Sequence, residues 1–204
     1  MAPARPAAFL FDLDGTLVDS VYEHVLAWRE ALEQVGIELS VWRIHRRIGM
    51  SGGLLINALL RETGAEITGH FVEELQRRHA EAYARRSAQV RRMAGARPCL
   101  EAIGIDPTHV PVITRDQVEH AKPDPDLSIA ASNQLGVDVA DAMVIGDSVW
   151  DLLAARRARA LGIGLLSGGY GREELDRAGA YRVYEDPRDL LRHLDEVGVR
   201  RRTQ

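Results

Sequence analysis

The sequence contains little cysteine, little lysine and no long apolar run. Cys99 is the only cysteine among 204 residues, which excludes an internal disulfide and favours a reducing compartment. No window approaches the roughly 18 consecutive apolar residues that a membrane span requires. The proline-rich N-terminal residues form too short a segment for a signal peptide. We therefore expect a cytoplasmic protein without a membrane partner.

An excess of positive charge is also missing. The formal net charge is -4, so the composition gives no reason to expect nucleic acid or an anionic membrane as a partner. Lysine is nearly absent as well: the chain is rich in arginine, and Lys122 is its only lysine. No internal repeat or low-complexity stretch is present, and a content of 46% hydrophobic residues is ordinary for a globular protein.

The most informative stretch runs from Ala7 to Ser20 and reads AAFLFDLDGTLVDS. An apolar run leads into Asp12, and Asp14 follows two residues later, so an extended strand points both carboxylates to one side. Two adjacent acids require a divalent cation or a shared proton, unless they form a turn at the strand end. Gly15 then allows the backbone to leave the strand at a φ that other residues avoid.

The following region, residues 20–87, has helical periodicity and no strand-like alternation. Ser20 and Glu23 have the spacing of a capping box, which predicts a helix that ends at Gly36. Further helices are predicted over Val41–Ile48, Leu54–Leu60 and Phe71–Arg86. Four helices inserted directly after one strand indicate a helical cap domain over residues 20–87.

From about residue 110 the pattern alternates between strands and helices. Strands are predicted over Val110–Thr114, Ala142–Asp147, Gly162–Leu166 and Tyr181–Tyr184. Helices are predicted from Asp124 to Leu135, from Ser148 onward, from Arg172 to Ala178 and from Asp186 to about Val197. Such alternation is typical of a doubly wound parallel sheet, which binds ligands at the carboxyl ends of its strands. We expect an α/β core domain formed by residues 1–19 and 88–204.

Further charged residues follow the predicted strands. Asp147 comes at a strand end and Asp151 one helical turn later, and together with the first two acids they offer the carboxylate oxygens that Mg²⁺ prefers. Lys122 lies between these acidic groups in the string KPDPD. An ammonium near several carboxylates neutralises their charge and can contact an incoming phosphoryl oxygen.

Three strings, DLDGTLVDS, KPDPD and GDSVWD, occur in this order with a helical insertion after the first. This arrangement resembles the haloacid dehalogenase (HAD) superfamily, in its phosphoglycolate phosphatase-like branch, and the resemblance covers nearly the whole chain. It implies a Rossmann-like core, a helical cap, and a Mg²⁺-dependent phosphatase that hydrolyses a small phosphomonoester. A small phosphorylated metabolite as substrate, and a monomer or homodimer, are expected.

The resemblance also implies a role for each site residue. Asp12 would attack phosphorus and form an aspartyl-phosphate, and Asp14 would protonate the leaving alcohol and then activate water. Lys122 would stabilise the transferring phosphoryl group. The expected Mg²⁺ ligands are Asp12, Asp14 through its backbone carbonyl, Asp147 and Asp151. The residues expected to contact the substrate are Gly15, Thr16, Arg46, Arg47, Gly49 and Thr114.

One part of the family pattern is missing. The family has a further strand and helix between the cap and the KPDPD string, and that strand ends in a Ser or Thr that binds the phosphoryl group. Residues 91–104 contain no apolar strand, and Thr114 precedes Lys122 by only eight residues. A strand and helix do not fit into so short a stretch. Either a segment is missing, which we favour, or Thr114 has taken over the hydroxyl role.

Two other functions share these strings. A phosphomutase of the β-phosphoglucomutase kind would convert a sugar 1-phosphate without releasing phosphate. A non-catalytic HAD-fold binding protein would retain the metal carboxylates, while the missing strand would expose an unpaired sheet edge and remove a phosphate donor. Metal-dependent stabilisation without turnover would favour this last function.

Overall fold

The computed structural model describes residues 7–50, 55–58, 61 and 68–199. The chain divides into two compact units, one formed by Met1–Val18 with Arg92–Gln204 and the other by Asp19–Arg91. The strands in chain order are β1 (Ala8–Phe11), β2 (Val18–Asp19), β3 (Arg91–Arg92), β4 (Ala142–Gly146), β5 (Leu161–Leu165) and β6 (Ala180–Tyr184).

The helices are distributed over both units. The second unit contains α1 (Val21–Glu33), α2 (Val41–His45) and α3 (Gly69–Arg86). The first contains α4 (Ala96–Ile103), α5 (Asp126–Leu135), α6 (Val149–Arg157), α7 (Arg172–Ala178) and α8 (Pro187–Arg192). None of the helices in the described residues is long and apolar enough to cross a membrane.

The first unit is built on a parallel sheet in the order β1-β4-β5-β6. Helices connect the strands from β4 onward, because parallel neighbours need a crossover connection. The alternation read from the sequence is therefore confirmed, and the fold is the predicted α/β class. A second, separate sheet consists of β2 and β3.

Strand β4 lies inside the sheet and is buried along its whole length. Met143 and Ile145 point to one face, where they pack with Cys99 of α4 and Leu190 of α8. The alternate residues, Ala142 and Val144, pack on the other face with Ala155 of α6. Helices on both faces explain why this strand reads as a continuous apolar run.

Strand β1 pairs with β4 alone within the described part of the chain. The strand predicted over Val110–Thr114 is wrong, because residues 110–114 form no strand, and Val112 is 66% exposed. Strand propensity depends on a neighbour that offers hydrogen bonds and a packing surface, and this segment has neither among the described residues. Among the described residues, the strand that leads to Asp12 is therefore an edge strand of the sheet.

The second unit is helical wherever it forms regular structure beyond the short β2 and β3 strands. Helix α1 is confirmed, but Ser20 does not cap it with its side chain, so the predicted capping box is wrong. The apolar stripe of α1, with Val25 and Leu32, packs with Ile44 and with Leu75 of α3. Of the helix predicted over Leu54–Leu60, residues 55–58 are helical and the remainder lies outside the described residues.

Candidate active site

Two neighbouring strands bring Asp12 and Asp147 together. Asp12 follows β1, and its backbone N–H donates to the carbonyl of Ile145 at 2.8 Å. Asp147 follows β4, which pairs in register with β1 so that Phe11 lies beside Ile145. Because both strands run in the same direction, their carboxyl ends deliver the two acids to the same edge of the sheet.

Asp151 joins them from the first turn of α6. Ser148 caps this helix, and the Ser148 hydroxyl and backbone N–H donate to Asp151 Oδ2 at 2.5 and 3.1 Å. Gly146 leaves room for this carboxylate, because a Cβ at position 146 would lie 2.4 Å from the Asp151 side chain. One oxygen each of Asp12, Asp147 and Asp151 therefore lie within 4.8 Å of one another.

Lys122 bridges the cluster. Its Nζ donates to Asp12 Oδ1 and lies 2.5 Å from Asp151 Oδ1. Burial disfavours the ammonium charge, but the two carboxylates outweigh it and raise the pKa of Lys122. The lysine therefore stays charged and balances part of the negative charge of the three acids.

The cluster carries more negative charge than one lysine can balance. Burial raises the pKa of Asp12 to about 6, with the charges of Asp151 and Asp14 acting in the same direction and Lys122 opposing them. Burial likewise raises the pKa of Asp147 well above its ordinary value, helped by Asp151 and Asp12. Oxygen ligands of this kind, held close together and short of positive charge, fit a hard divalent cation.

The polar groups of the turn after Asp12 form hydrogen bonds within the protein. Gly15 has φ +78° and its N–H donates to the Val18 carbonyl at 2.7 Å. The buried Thr16 donates its hydroxyl to Asp147 Oδ1 at 3.2 Å. Asp14 lies in the same turn, near enough for its charge to raise the pKa of Asp12. Gly15 and Thr16 thus shape the turn and position Asp147, and their contact with substrate stays a prediction.

The loop after β5 contributes residues that the sequence reading missed. The Ser167 hydroxyl donates to the backbone carbonyl of Gly15 at 2.6 Å. At Gly168, a Cβ would lie 1.7 Å from Asp147 Oδ2, so only glycine fits against that carboxylate. The available signal was the position of Ser-Gly-Gly at the carboxyl end of a predicted parallel strand.

Thr114 is not joined to the cluster by any contact described. Its side chain is exposed, and both its N–H and its hydroxyl donate to Gln117 Oε1, at 2.7 and 3.3 Å. Arg46 and Arg47 lie in the second unit, where they line a shallow cavity of about 290 Å³ with Trp42 and Arg43. Gly49 follows with φ +91°.

Known proteins resemble this chain over most of its length. A family model described as haloacid dehalogenase-like hydrolase matches residues 87–159. A phosphoglycolate phosphatase of Caulobacter vibrioides is 30% identical, over 85% of this chain and 84% of its own length. The crystal structure of a hydrolase from Pseudomonas syringae is 48% identical with a TM-score of 0.89, covering 93% of this chain and 98% of that one.

These similarities identify the class. The chain belongs to the haloacid dehalogenase-like hydrolases, and is an enzyme of that family. Within it, the chain falls in the phosphoglycolate phosphatase-like branch. A fold neighbour, titled a putative β-phosphoglucomutase from Bacteroides vulgatus, has a TM-score of 0.86 at 21% identity over 97% of this chain and 91% of its own, which shows the fold alone.

The alignment with the Caulobacter relative contains positions that this chain lacks. It runs over 201 residues but spans 85% of the 204 residues here, or about 173, so about 28 aligned positions have no counterpart in this chain. That deficit is close to the size of one strand with its helix. In the sheet, β1 has a neighbour on one side only among the described residues.

Proposed function

We propose that this protein is a Mg²⁺-dependent phosphatase that hydrolyses a small phosphorylated metabolite through an aspartyl-phosphate on Asp12. The observation that carries the proposal is the cluster of three carboxylates within 4.8 Å, with Lys122 in contact with two of them. A nucleophilic carboxylate beside a fixed cation is the arrangement that phosphoryl transfer requires.

In this mechanism Asp12 attacks phosphorus as the P–O bond to the alcohol breaks, and the alcohol oxygen takes a proton from the Asp14 carboxyl group. The Asp14 carboxylate then removes a proton from water, which attacks the aspartyl-phosphate and releases inorganic phosphate. Lys122 donates to Asp12 Oδ1 and stabilises the charge on the transferring phosphoryl group. Each step therefore uses a group of this cluster or of its adjoining turn.

The metal would be held by Asp12, Asp147, Asp151 and the backbone carbonyl of Asp14. Burial and mutual repulsion raise the pKa of Asp12 and of Asp147, so a bound cation relieves an unfavourable concentration of charge. When bound, Mg²⁺ supplies positive charge that screens the approach of the anionic nucleophile to the phosphoryl group. Ser148 and Thr16 support the site by fixing the orientation of Asp151 and Asp147.

We propose that the helical region is a cap domain over residues 20–87, inserted into a core of residues 1–19 and 88–204. In this arrangement Arg46, Arg47 and Gly49 contact the part of the substrate that remains after phosphate is removed, and the arginines favour an anionic substrate. Gly15 and Thr16 would contact the phosphoryl group, whereas the described bonds of Thr114 go to Gln117 and not to the cluster.

The test is release of inorganic phosphate from p-nitrophenyl phosphate and from a panel that includes phosphoglycolate and sugar phosphates. We expect turnover that requires Mg²⁺ and is lost in Asp12→Asn, which keeps the size of the side chain but removes the nucleophilic carboxylate. Absence of turnover in folded, metal-stabilised protein would contradict the proposal. Conversion of a sugar 1-phosphate without phosphate release would support a phosphomutase instead.

A non-catalytic binding protein is the second candidate, favoured by one observation. Thr114 is exposed and bonded to Gln117, and no other described Ser or Thr follows a strand on the outer side of β1. The loss of one such donor typically costs about 10²- to 10³-fold in rate. A Tm increase caused by Mg²⁺ that is smaller in Asp12→Asn, with no turnover in either protein, would support this function.

A further inference from the structure

The outer edge of β1 is open in the described part of the chain. Its pairing partner is β4, and its two phenylalanines, Phe9 and Phe11, are only partly buried. Leu13, directly after the strand, is 54% exposed. An edge of this kind presents unpaired backbone N–H and C=O groups, which another strand can satisfy.

The same chain contains a segment that has the sequence of a strand but no strand partner in the part of the chain that the structure describes. Residues 110–114 read Val-Pro-Val-Ile-Thr, rich in β-branched side chains. Val110 is 41% exposed and Val112 is 66% exposed, and the described hydrogen bonds of Thr114 are local. A neighbouring strand would supply hydrogen bonds to this segment and cover the two exposed valines.

We propose that residues 110–114 of a second copy of this chain add to the outer edge of β1 as a parallel strand, and that Thr114 of the second copy supplies the phosphoryl-binding hydroxyl beside Asp12. The inference rests on the proposed function for the role of that hydroxyl. The pairing itself follows from the open edge and the exposed segment, and it replaces the missing strand with an equivalent from the other copy.

Length and charge agree with this register. When Val110–Ile113 lies beside Ala8–Phe11, Thr114 falls beside Asp12, so the hydroxyl reaches the carboxyl end of the sheet. Arg115 then falls next to the turn that holds Asp14, where the charges are opposite. Pro111, which lacks an N–H, is tolerated because the added strand is itself an edge.

A second copy fits better than the same chain as the source of the strand. Within one chain the segment is tied to α4 on one side and to Lys122, fixed on Asp12, on the other, and it stays exposed in that arrangement. Each copy offers one edge and one segment, so a reciprocal two-fold dimer satisfies both. Both active sites are completed in the same step.

The first experiment mixes two inactive variants. Asp12→Asn lacks the nucleophile and Thr114→Val lacks the hydroxyl, and we expect Thr114→Val alone to lose about 10²- to 10³-fold in turnover. After exchange of subunits, mixed dimers contain one intact site, which predicts recovery of up to about a quarter of wild-type activity in an equal mixture. Turnover no higher than the average of the separate samples, or full activity of Thr114→Val alone, would overturn the proposal.

The second experiment reads assembly without activity. Sedimentation analysis should show a dimer that Val112→Asp weakens at least about tenfold, because the charge enters the new strand contact. Leu135→Asp, which adds the same charge at an exposed leucine of α5, should leave the dimer unchanged. A monomer at all concentrations overturns the pairing. A Val112-dependent dimer without turnover on any ester retains the pairing and contradicts the proposed function.

Discussion

Strands β1 and β4 lie side by side and end in acids of the same cluster, yet their support differs. Strand β4 has neighbours on both sides and is buried in all five residues. Strand β1 has one neighbour among the described residues, and only Leu10 of its four residues is buried. The site geometry is nevertheless compact, because Asp12 is also held by the Ile145 carbonyl and by Lys122.

The two strands thus support two different proposed roles in one active site, metal binding and nucleophilic attack. The fully packed strand carries Asp147, whose proposed task is to hold a metal in a fixed place. The edge strand carries Asp12, whose proposed task is chemistry on a group that arrives and leaves. Substitutions matched between the two strands can therefore test whether packing and chemistry are divided in this way.

The largest effect is expected from replacing the acids themselves. Asp147→Asn should lower turnover by about 10²- to 10³-fold at low Mg²⁺ and recover partly at high Mg²⁺, because a metal ligand is weakened. Asp12→Asn should lose at least about 10⁴-fold, with no recovery at any Mg²⁺ concentration, because the nucleophile is absent. Phosphate release measured over a Mg²⁺ titration distinguishes the two. Equal recovery of both variants would contradict the division of roles.

The next effect concerns stability. Ile145→Ala in β4 should lower the free energy of unfolding by about 4 kcal/mol, since the side chain is fully buried and leaves a cavity. Leu10→Ala in β1 should cost about 2 kcal/mol, because the edge can relax around the smaller side chain. Urea denaturation of both variants provides the measurement. Equal losses would mean that the edge is packed as tightly as the interior.

The reactivity of Cys99 reports on the packing of helix α4 against the sheet. Burial raises the pKa of its thiol to about 11, and the side chain packs with Met143 and Ile145. At pH 8 we expect Cys99 to react with a disulfide reagent about a hundredfold more slowly than in urea-unfolded protein, because less thiolate is present. Equally fast labelling of the folded protein would reveal local opening of α4.

The smallest effect is expected at Ser167, which follows β5 and donates to the turn after Asp12. Ser167→Ala removes its hydrogen bond to the Gly15 carbonyl and should lower kcat about tenfold with little change in KM, because the loss of one bond loosens the turn that carries Asp14. Ser87→Ala, which removes a comparable bond to the Ala84 carbonyl in the helical unit, is the control. A fall of the same size in both variants would contradict a positioning role.

Much of the core could be predicted from sequence because its signals are local. The apolar runs before Asp12 and Asp147 predicted two strands of one parallel sheet whose carboxyl ends deliver carboxylates, and the structure brings those residues together. Lys122 was identified as the only lysine, and it contacts two of these acids. Alternation between strand and helix was sufficient for the fold class.

The errors and omissions have a common cause in long-range contacts. Residues 110–114 have the composition of a strand, but they form none, because strand formation also requires a neighbouring strand and none is described beside them. The sequence did not predict that the hydroxyl of Thr16 donates to Asp147, which lies 131 residues away in sequence. Ser167 contacts Gly15 across 152 residues, and no periodic pattern marks such a contact.

The ion pairs of Lys122 have a consequence for protein labelling. Because this is the only lysine, amine-reactive dyes and crosslinkers have one side-chain target in the whole chain. That amine is charged, mostly covered, and engaged with Asp12 and Asp151, so reagents that require a neutral amine should find it poorly nucleophilic. Amine chemistry on the folded protein should therefore select the α-amino group, and acylation at position 122 becomes a specific chemical reporter of a disrupted active site.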